Sequence, residues 1–398
     1  MESEKNHLKY LLLIGFALLI FSSQAIWVTY SPVITKVSEE INTNVKNIGF
    51  LAITYPILFL ILTIPSGILL DKDFKKWLTF GILMTTISSL GRPIYNNWWW
   101  ILSFQLCGAI GQPFLLNSFV PFSSRIFPEK KTEIISILSL VMYLGAVFSL
   151  FFGVKMYEIG GTRGLSIPSI ITSLIGFILF LYSNKIIKEN EQKDIEKTPK
   201  LQIKEDFRYL LRSKDLLIIG AILGLGVATF DNLATWLEPV LKSEGLEDIA
   251  GRSVAVSIIS GLIAITFLPK KICQNNIRTI YLRTIIPAIA IFFAILRTEA
   301  SASFVMISLS VSGFLMLPAY PIIMDWIGRF HKQEHLAKAT SFVGLISRVI
   351  AVILTISASG FISSQKEYFT FLIAPISLAF IMAIIMPNDR KITNQLQK

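Results

Sequence analysis

Residues 48–76 read IGFLAITYPILFLILTIPSGILLDKDFKK, an uncharged run over 48–70 that stops abruptly at Asp71, Lys72, Asp73, Lys75 and Lys76. A helix rises about 1.5 Å per residue and must cross roughly 30 Å of hydrocarbon, so a run of this length spans a bilayer. A membrane strand would alternate apolar and polar residues within a closed barrel, and this run is continuous. The stretch therefore predicts a transmembrane helix followed by a charged aqueous loop.

Outward from it, eleven further apolar runs recur at 8–34, 77–95, 98–122, 134–156, 165–186, 216–241, 254–268, 280–296, 304–326, 337–362 and 369–386. The chain has a mean hydropathy of +0.63, with 53% hydrophobic and 16% charged residues, too little polar surface to coat a soluble globule of 398 residues. The expected fold class is an all-α membrane protein of twelve transmembrane helices. Ser22, Ser23 and Gln24 interrupt the first run and no small-residue cleavage site follows, so it reads as a retained helix rather than a signal peptide.

The net charge of +11 would suggest nucleic acid in a soluble protein, but here the basic residues are sorted by side. They concentrate in the tails and even-numbered loops, which by the positive-inside rule predicts a multi-pass plasma-membrane protein with both termini cytoplasmic and no nucleic-acid partner. Cys107 and Cys273 form no CxxC or metal-spaced pattern and are assigned to packing.

Between the sixth and seventh runs lies the one long hydrophilic connection. It divides the chain into an N-terminal six-helix bundle (1–185), a charged cytoplasmic linker (186–214) and a C-terminal six-helix bundle (215–398). Gly67-Ile-Leu-Leu-Asp71-Lys72-Asp73-Phe-Lys75-Lys76 resembles the G-x-x-x-D-R-x-x-R/K signature of the major facilitator superfamily, and Phe127-Pro128-Glu129-Lys130-Lys131 resembles its turn into helix five. The resemblance implies two pseudo-symmetric halves that rock about a midplane site. Gly67 would allow close helix approach, Asp71 would cap a neighbouring helix, and Lys72, Lys75 and Lys76 would hold helix ends or carboxylates in one state of the cycle. Asp325 and Arg329 form an i,i+4 pair at the end of the tenth run, read as gate or anchor.

A charge at mid-membrane costs about 2.5–3.5 kcal/mol on an insertion scale, so the few ionisable residues inside the runs are candidate site residues. Asp231, with Asn232 beside it, lies about 24 Å into the seventh helix, Arg348 lies about 16 Å into the eleventh, and Glu238 sits two turns beyond Asp231, near the outer mouth. Asp231 and Arg348 either bridge each other, or bind a charged or zwitterionic solute, or Asp231 exchanges a coupling proton. Trp27 and Tyr30 close the first run as an interfacial belt, or Trp27 offers its face to a cation by cation–π attraction, both being candidate solute contacts. Gln112, beside Pro113, makes an interhelical hydrogen bond worth about 0.6 kcal/mol or touches solute. His331 and His335 have helical spacing but no third ligand, so no metal or other cofactor is expected. Gly220-x-x-x-Gly224 reads as a helix-packing motif.

In order along the chain, Trp27-Val-Thr-Tyr30-Ser31, Tyr55-Pro56, Ile64-Pro65, Leu70-Asp71, Gln105, Gln112-Pro-Phe-Leu-Leu, Phe230-Asp231-Asn-Leu-Ala-Thr235-Trp-Leu, Gly313-Phe-Leu-Met, Pro321 and Asp325 resemble the feline leukemia virus subgroup C receptor-related family of heme and choline transporters. The resemblance places that family's cavity tryptophan and glutamine, which hold a quaternary ammonium, on Trp27 and Gln112. Where the family has an aromatic in helix seven and a glutamine in helix eleven, this chain has Asp231 and Arg348. That exchange of an aromatic cage for an acid and a base implies a solute with separate charges, or a proton-coupled metabolite, rather than choline.

The expected function is a monomeric, secondary active or facilitative transporter of a small polar, amine-containing or zwitterionic solute. A drug or cation efflux pump of the same fold is the alternative. No nucleotide loop, paired-carboxylate motif or extramembrane domain supports a membrane enzyme.

Overall fold

The computed structural model describes residues 2–187, 213–298, 301–330, 336–386 and 388–389. Most of the charged linker, with His331 and His335, lies outside the described residues.

The described chain forms two compact units, Met1–Lys193 and Asp194–Lys398. The first contains α1 (Glu2–Trp27), α2 (Ile34–Glu40), α3 (Val45–Lys72), α4 (Phe74–Gly91), α5 (Trp98–Leu116), α6 (Phe119–Ile126), α7 (Lys131–Gly164) and α8 (Ile167–Ser183). The second contains α9 (Lys214–Leu241), α10 (Glu247–Ile265), α11 (Leu268–Gln274), α12 (Arg278–Leu296), α13 (Ala302–Met316), α14 (Ala319–Phe330), α15 (Leu336–Ala358) and α16 (Gln365–Ile385).

Among the described residues, eleven helical stretches are long and apolar enough to cross a membrane. The predicted third run corresponds to α4, which falls outside that set and carries Lys75 and Lys76 in its first turn. Its Thr85, Thr86, Ser88 and Ser89 are buried against neighbouring helices, where Thr85 and Thr86 donate to the carbonyls of Gly81 and Ile82. A helix that satisfies its polar side chains internally need not be apolar all round.

Each unit repeats one packing pattern. In the first, α1 packs on α7 and α8, α3 on α5, and α4 on α5 and α8. In the second, α9 packs on α15 and α16, α10 on α13, and α12 on α13 and α16. The first span thus contacts the fifth and sixth, the second the fourth, and the third the fourth and sixth, in both units.

The first run is interrupted rather than continuous. α1 stops at Trp27, a turn follows, and Pro32 opens a short 3-10 turn before α2. Proline cannot donate to the preceding turn, so the last carbonyls of α1 must find other partners. Glu40, at the end of α2, receives the Thr162 backbone N–H (3.0 Å) and hydroxyl (2.8 Å) and the Asn96 amide (2.8 Å). The adjacent α7 corner needs Gly161, whose φ of +58° disfavours any side chain and against which Glu40 is packed.

Candidate functional site

The geometry of the second unit begins with two glycines. A Cβ at Gly220 would stand 3.2 Å from Ile346, and one at Gly224 would stand 2.9 Å from the Ser347 backbone and 3.0 Å from Ile350. Their absence lets α9 and α15 approach closely, as the packing motif predicts. Two turns beyond Gly224, on the same face of α9, Asp231 meets Arg348. The Nη1 of Arg348 lies 3.6 Å from Oδ2 of Asp231, with the aspartate side chain 6% exposed and the arginine 39%. Charge-assisted hydrogen bonds run nearer 2.8 Å, so this is an ion pair without a hydrogen bond. Asn232 is buried and donates its amide to the Ala228 carbonyl at 2.8 Å. Trp236 donates to the Thr355 carbonyl at 2.9 Å, fixing α9 to α15 one turn further on. Glu238, expected near a mouth, is buried at 1% exposure.

In the first unit, Trp27 is half-buried and donates its indole N–H to the Ala52 carbonyl at 3.0 Å. Gln112 is buried on α5, next to Pro113. Tyr30 is also buried, with its ring 5.5 Å from the Arg92 guanidinium, so the interfacial-belt alternative does not describe it.

Arg92, which sequence reasoning missed, is fully buried at the end of α4. It donates to Oε1 of Gln105 (3.2 Å), to the Ile26 carbonyl (3.4 Å) and to the Ser169 hydroxyl (3.4 Å). Gln105 in turn donates to the carbonyls of Ile26 (3.4 Å) and Leu51 (3.2 Å). The two side chains therefore close the interrupted end of α1, one residue before Trp27, and hold the α3 carbonyl beside the one Trp27 uses. The signal was available: Arg92 is a charge inside the run predicted at 77–95.

The loop that resembles the superfamily signature has its own local structure. A Cβ at Gly67 would meet nothing within 4 Å, so no close approach in its own unit depends on that glycine. The N-cap of α4 is Asp73, whose carboxylate accepts from the Lys76 N–H at 3.0 Å, and Asp71 is exposed. Asp73 is the residue at the N-cap position, and an aspartate two residues earlier still belongs to α3. Lys72 and Lys76 are exposed, Lys75 is half-buried, and the Lys76 ammonium lies 5.7 Å from the Trp77 ring centroid.

Asp325 and Arg329 do meet, at 3.1 Å, but the centre of their cluster is Arg278, also missed. Fully buried, it donates through Nε to Asp325 (2.7 Å) and through Nη1 to Asp389 (3.2 Å) and Asn276 (3.0 Å), and its backbone N–H reaches Asp389 at 2.9 Å. In the sequence Arg278 looked like one more basic loop residue and Asp389 like a tail residue.

The family profile of the Major Facilitator Superfamily matches residues 12–356. The chain belongs to this superfamily. The structure is similar to that of the nucleoside transporter NupG in a mutant form, with a TM-score of 0.73 at 12% identity over 94% of this chain and 98% of that one. It is similar to a D-xylose-proton symporter (TM-score 0.70, 13% identity, 96% and 98% covered) and to an outward-facing bacterial homologue of the iron transporter ferroportin (0.64, 15%, 95% and 98%). In sequence it is similar to an uncharacterized protein of Archaeoglobus fulgidus, 23% identical over 188 residues, which is 47% of this chain and 85% of that protein. Membership of the Major Facilitator Superfamily makes the chain a multi-pass membrane transporter of small molecules rather than an enzyme.

Proposed function

We propose that this superfamily member carries a small amine-containing or zwitterionic solute by alternating access, as a monomer in the plasma membrane with both termini cytoplasmic. The observation that carries the reading is the unequal pair on α9 and α15. A buried Asp231 faces a half-exposed Arg348 at 3.6 Å, without a hydrogen bond between them. A purely structural ion pair at this depth needs close geometry to offset desolvation. This one is loose, and its two charges have the signs that complement an ammonium and a carboxylate.

Trp27, Tyr30, Gln112 and Asn232 are assigned to the same solute. Asp71, the lysines of its loop, Asp325 and Arg329 are assigned to gating. The order of motifs from Trp27 to Asp325 favours the feline leukemia virus subgroup C receptor-related family as the nearest branch, with Asp231 and Arg348 replacing its aromatic and glutamine. The similar D-xylose-proton symporter lends support to proton coupling, for which Asp231 is the candidate carboxylate.

The test is thermal stabilisation of purified protein by choline, betaine, amino acids, polyamines, carboxylates and heme. Stabilisation by an amine or zwitterion, lost in Asp231→Asn and in Trp27→Ala, is the expected result. Stabilisation by heme or a carboxylate alone, unaffected by Asp231→Asn, overturns it.

A further inference from the structure

The hydrogen-bonding inventory around Asp231 is one-sided. Oδ2 of Asp231 and Oδ1 of Asn232, on consecutive residues of α9, are both out of contact with solvent and accept no hydrogen bond among the described residues. Three donors on the same stretch are already committed. The Thr229 hydroxyl donates to Leu225 (2.8 Å), the Asn232 amide to Ala228 (2.8 Å) and the Trp236 indole to Thr355 (2.9 Å). On α15 the Ser347 and Thr355 hydroxyls donate to Gly344 and Ala351, each at 2.8 Å. Arg348 stands 3.6 Å from Oδ2, beyond hydrogen-bonding reach.

Buried acceptors without donors are rare in folded proteins because their desolvation goes uncompensated. Here two adjacent acceptors lack a donor among the described residues, and the Thr229, Asn232 and Trp236 donors beside them serve backbone carbonyls of α9 and α15, so a bound solute carrying N–H groups would satisfy both.

We infer that the solute is a primary or secondary ammonium whose N–H groups satisfy Asp231 and Asn232, and that the site discriminates against quaternary ammonium compounds. The inference rests on Asp231 belonging to the solute site. A quaternary ammonium is attracted by the carboxylate but offers no N–H, and leaves both acceptors as they are. An ammonium with two or three N–H groups offers a charge-assisted hydrogen bond to the carboxylate and one to the amide oxygen. A site built to hydrogen-bond its ligand rejects the analogue that lacks the donor far more strongly than a hydrophobic pocket rejects one extra methyl.

The experiment compares matched pairs on the wild-type protein: glycine with betaine, ethanolamine with choline, and putrescine with its hexamethylated analogue, by thermal shift and equilibrium binding. The expected result is that in at least one pair the N–H member binds on the order of ten- to a hundredfold tighter than its permethylated partner. Asp231→Asn should abolish binding of that member. Asn232→Leu should keep binding but narrow the difference within the pair. If a permethylated member binds equally well or better and Asp231→Asn abolishes it, the inference about donors fails while the amine site stands. If no member of any pair binds wild-type protein, both fail.

Discussion

The Arg92 guanidinium lies 3.2 Å from the side-chain oxygen of Gln105, fully buried, with no carboxylate at ion-pair distance from it among the described residues. What stands in for the anion is the C-terminal end of α1, whose Ile26 carbonyl accepts from both side chains, together with the Tyr30 ring. Gln105→Leu should therefore lower stability by about 1–3 kcal/mol, because it strips a partner from the buried Arg92 and removes one of the donors to the Ile26 and Leu51 carbonyls, which keep Arg92 and the Thr54 hydroxyl respectively. Gln105→Glu should lose less, since its carboxylate pairs with Arg92. Apparent melting temperatures in detergent check this, and equal losses in the two variants would contradict it.

The close contact of α9 with α15 depends on Gly224. Gly224→Val should cost about 1–3 kcal/mol by overpacking against Ser347 and Ile350, and should weaken solute binding by moving Asp231 from Arg348. A Cβ at Gly226 meets no neighbour, so Gly226→Ala should be neutral or stabilising by up to about 1 kcal/mol. The pair is read by thermal denaturation and by ligand-induced shift.

Arg278 and Arg329 share Asp325 but differ in burial, at 0% and 46% side-chain exposure. Arg278→Ala removes the buried cation shared by Asp325 and the fully buried Asp389 and should cost about 3–5 kcal/mol. Arg329→Ala removes an exposed helix pair and should cost less than about 1 kcal/mol. Denaturation midpoints should separate the two variants clearly.

Burial pushes the Cys273 thiol above its ordinary range, and the negative charge of Asp325 raises it further, against the opposing effect of Arg278. A raised thiol pKa means less thiolate near neutrality, so maleimide labelling at pH 7.5 should be slower than for a free cysteine and should accelerate as the pH rises. Asp325→Asn removes a contribution that raises the pKa and should speed labelling at the same pH. Labelling rates at several pH values, in a Cys107→Ala background, test the sign.

Much of this arrangement was legible in the sequence. Continuous apolar runs placed the helices, and the expense of a charge in lipid singled out Asp231 and Arg348, which the structure brings to ion-pair distance. Spacing alone also identified the glycines that let α9 and α15 meet. Hydropathy could not show that the first run breaks after Trp27, because Val28 to Val33 remain apolar enough while Pro32 ends the hydrogen-bond ladder. Arg92 was visible as a charge inside a predicted run, but its partners Ile26, Gln105 and Ser169 were not, and Arg278 could not be told from an ordinary basic residue near a helix end because Asp325 and Asp389 are distant in the chain. That Asp73 caps α4 turned on where α3 ends, a boundary that composition locates only to within a residue or two.

The most direct test of the central claim is uptake into proteoliposomes of radiolabelled amino acids, ethanolamine and polyamines by wild-type protein, Asp231→Asn and Arg348→Gln, each first shown to be folded by its melting transition. The account predicts that at least one of these solutes enters faster than into protein-free vesicles and that both substitutions abolish or severely reduce entry. Uptake by both variants at the wild-type rate would contradict it.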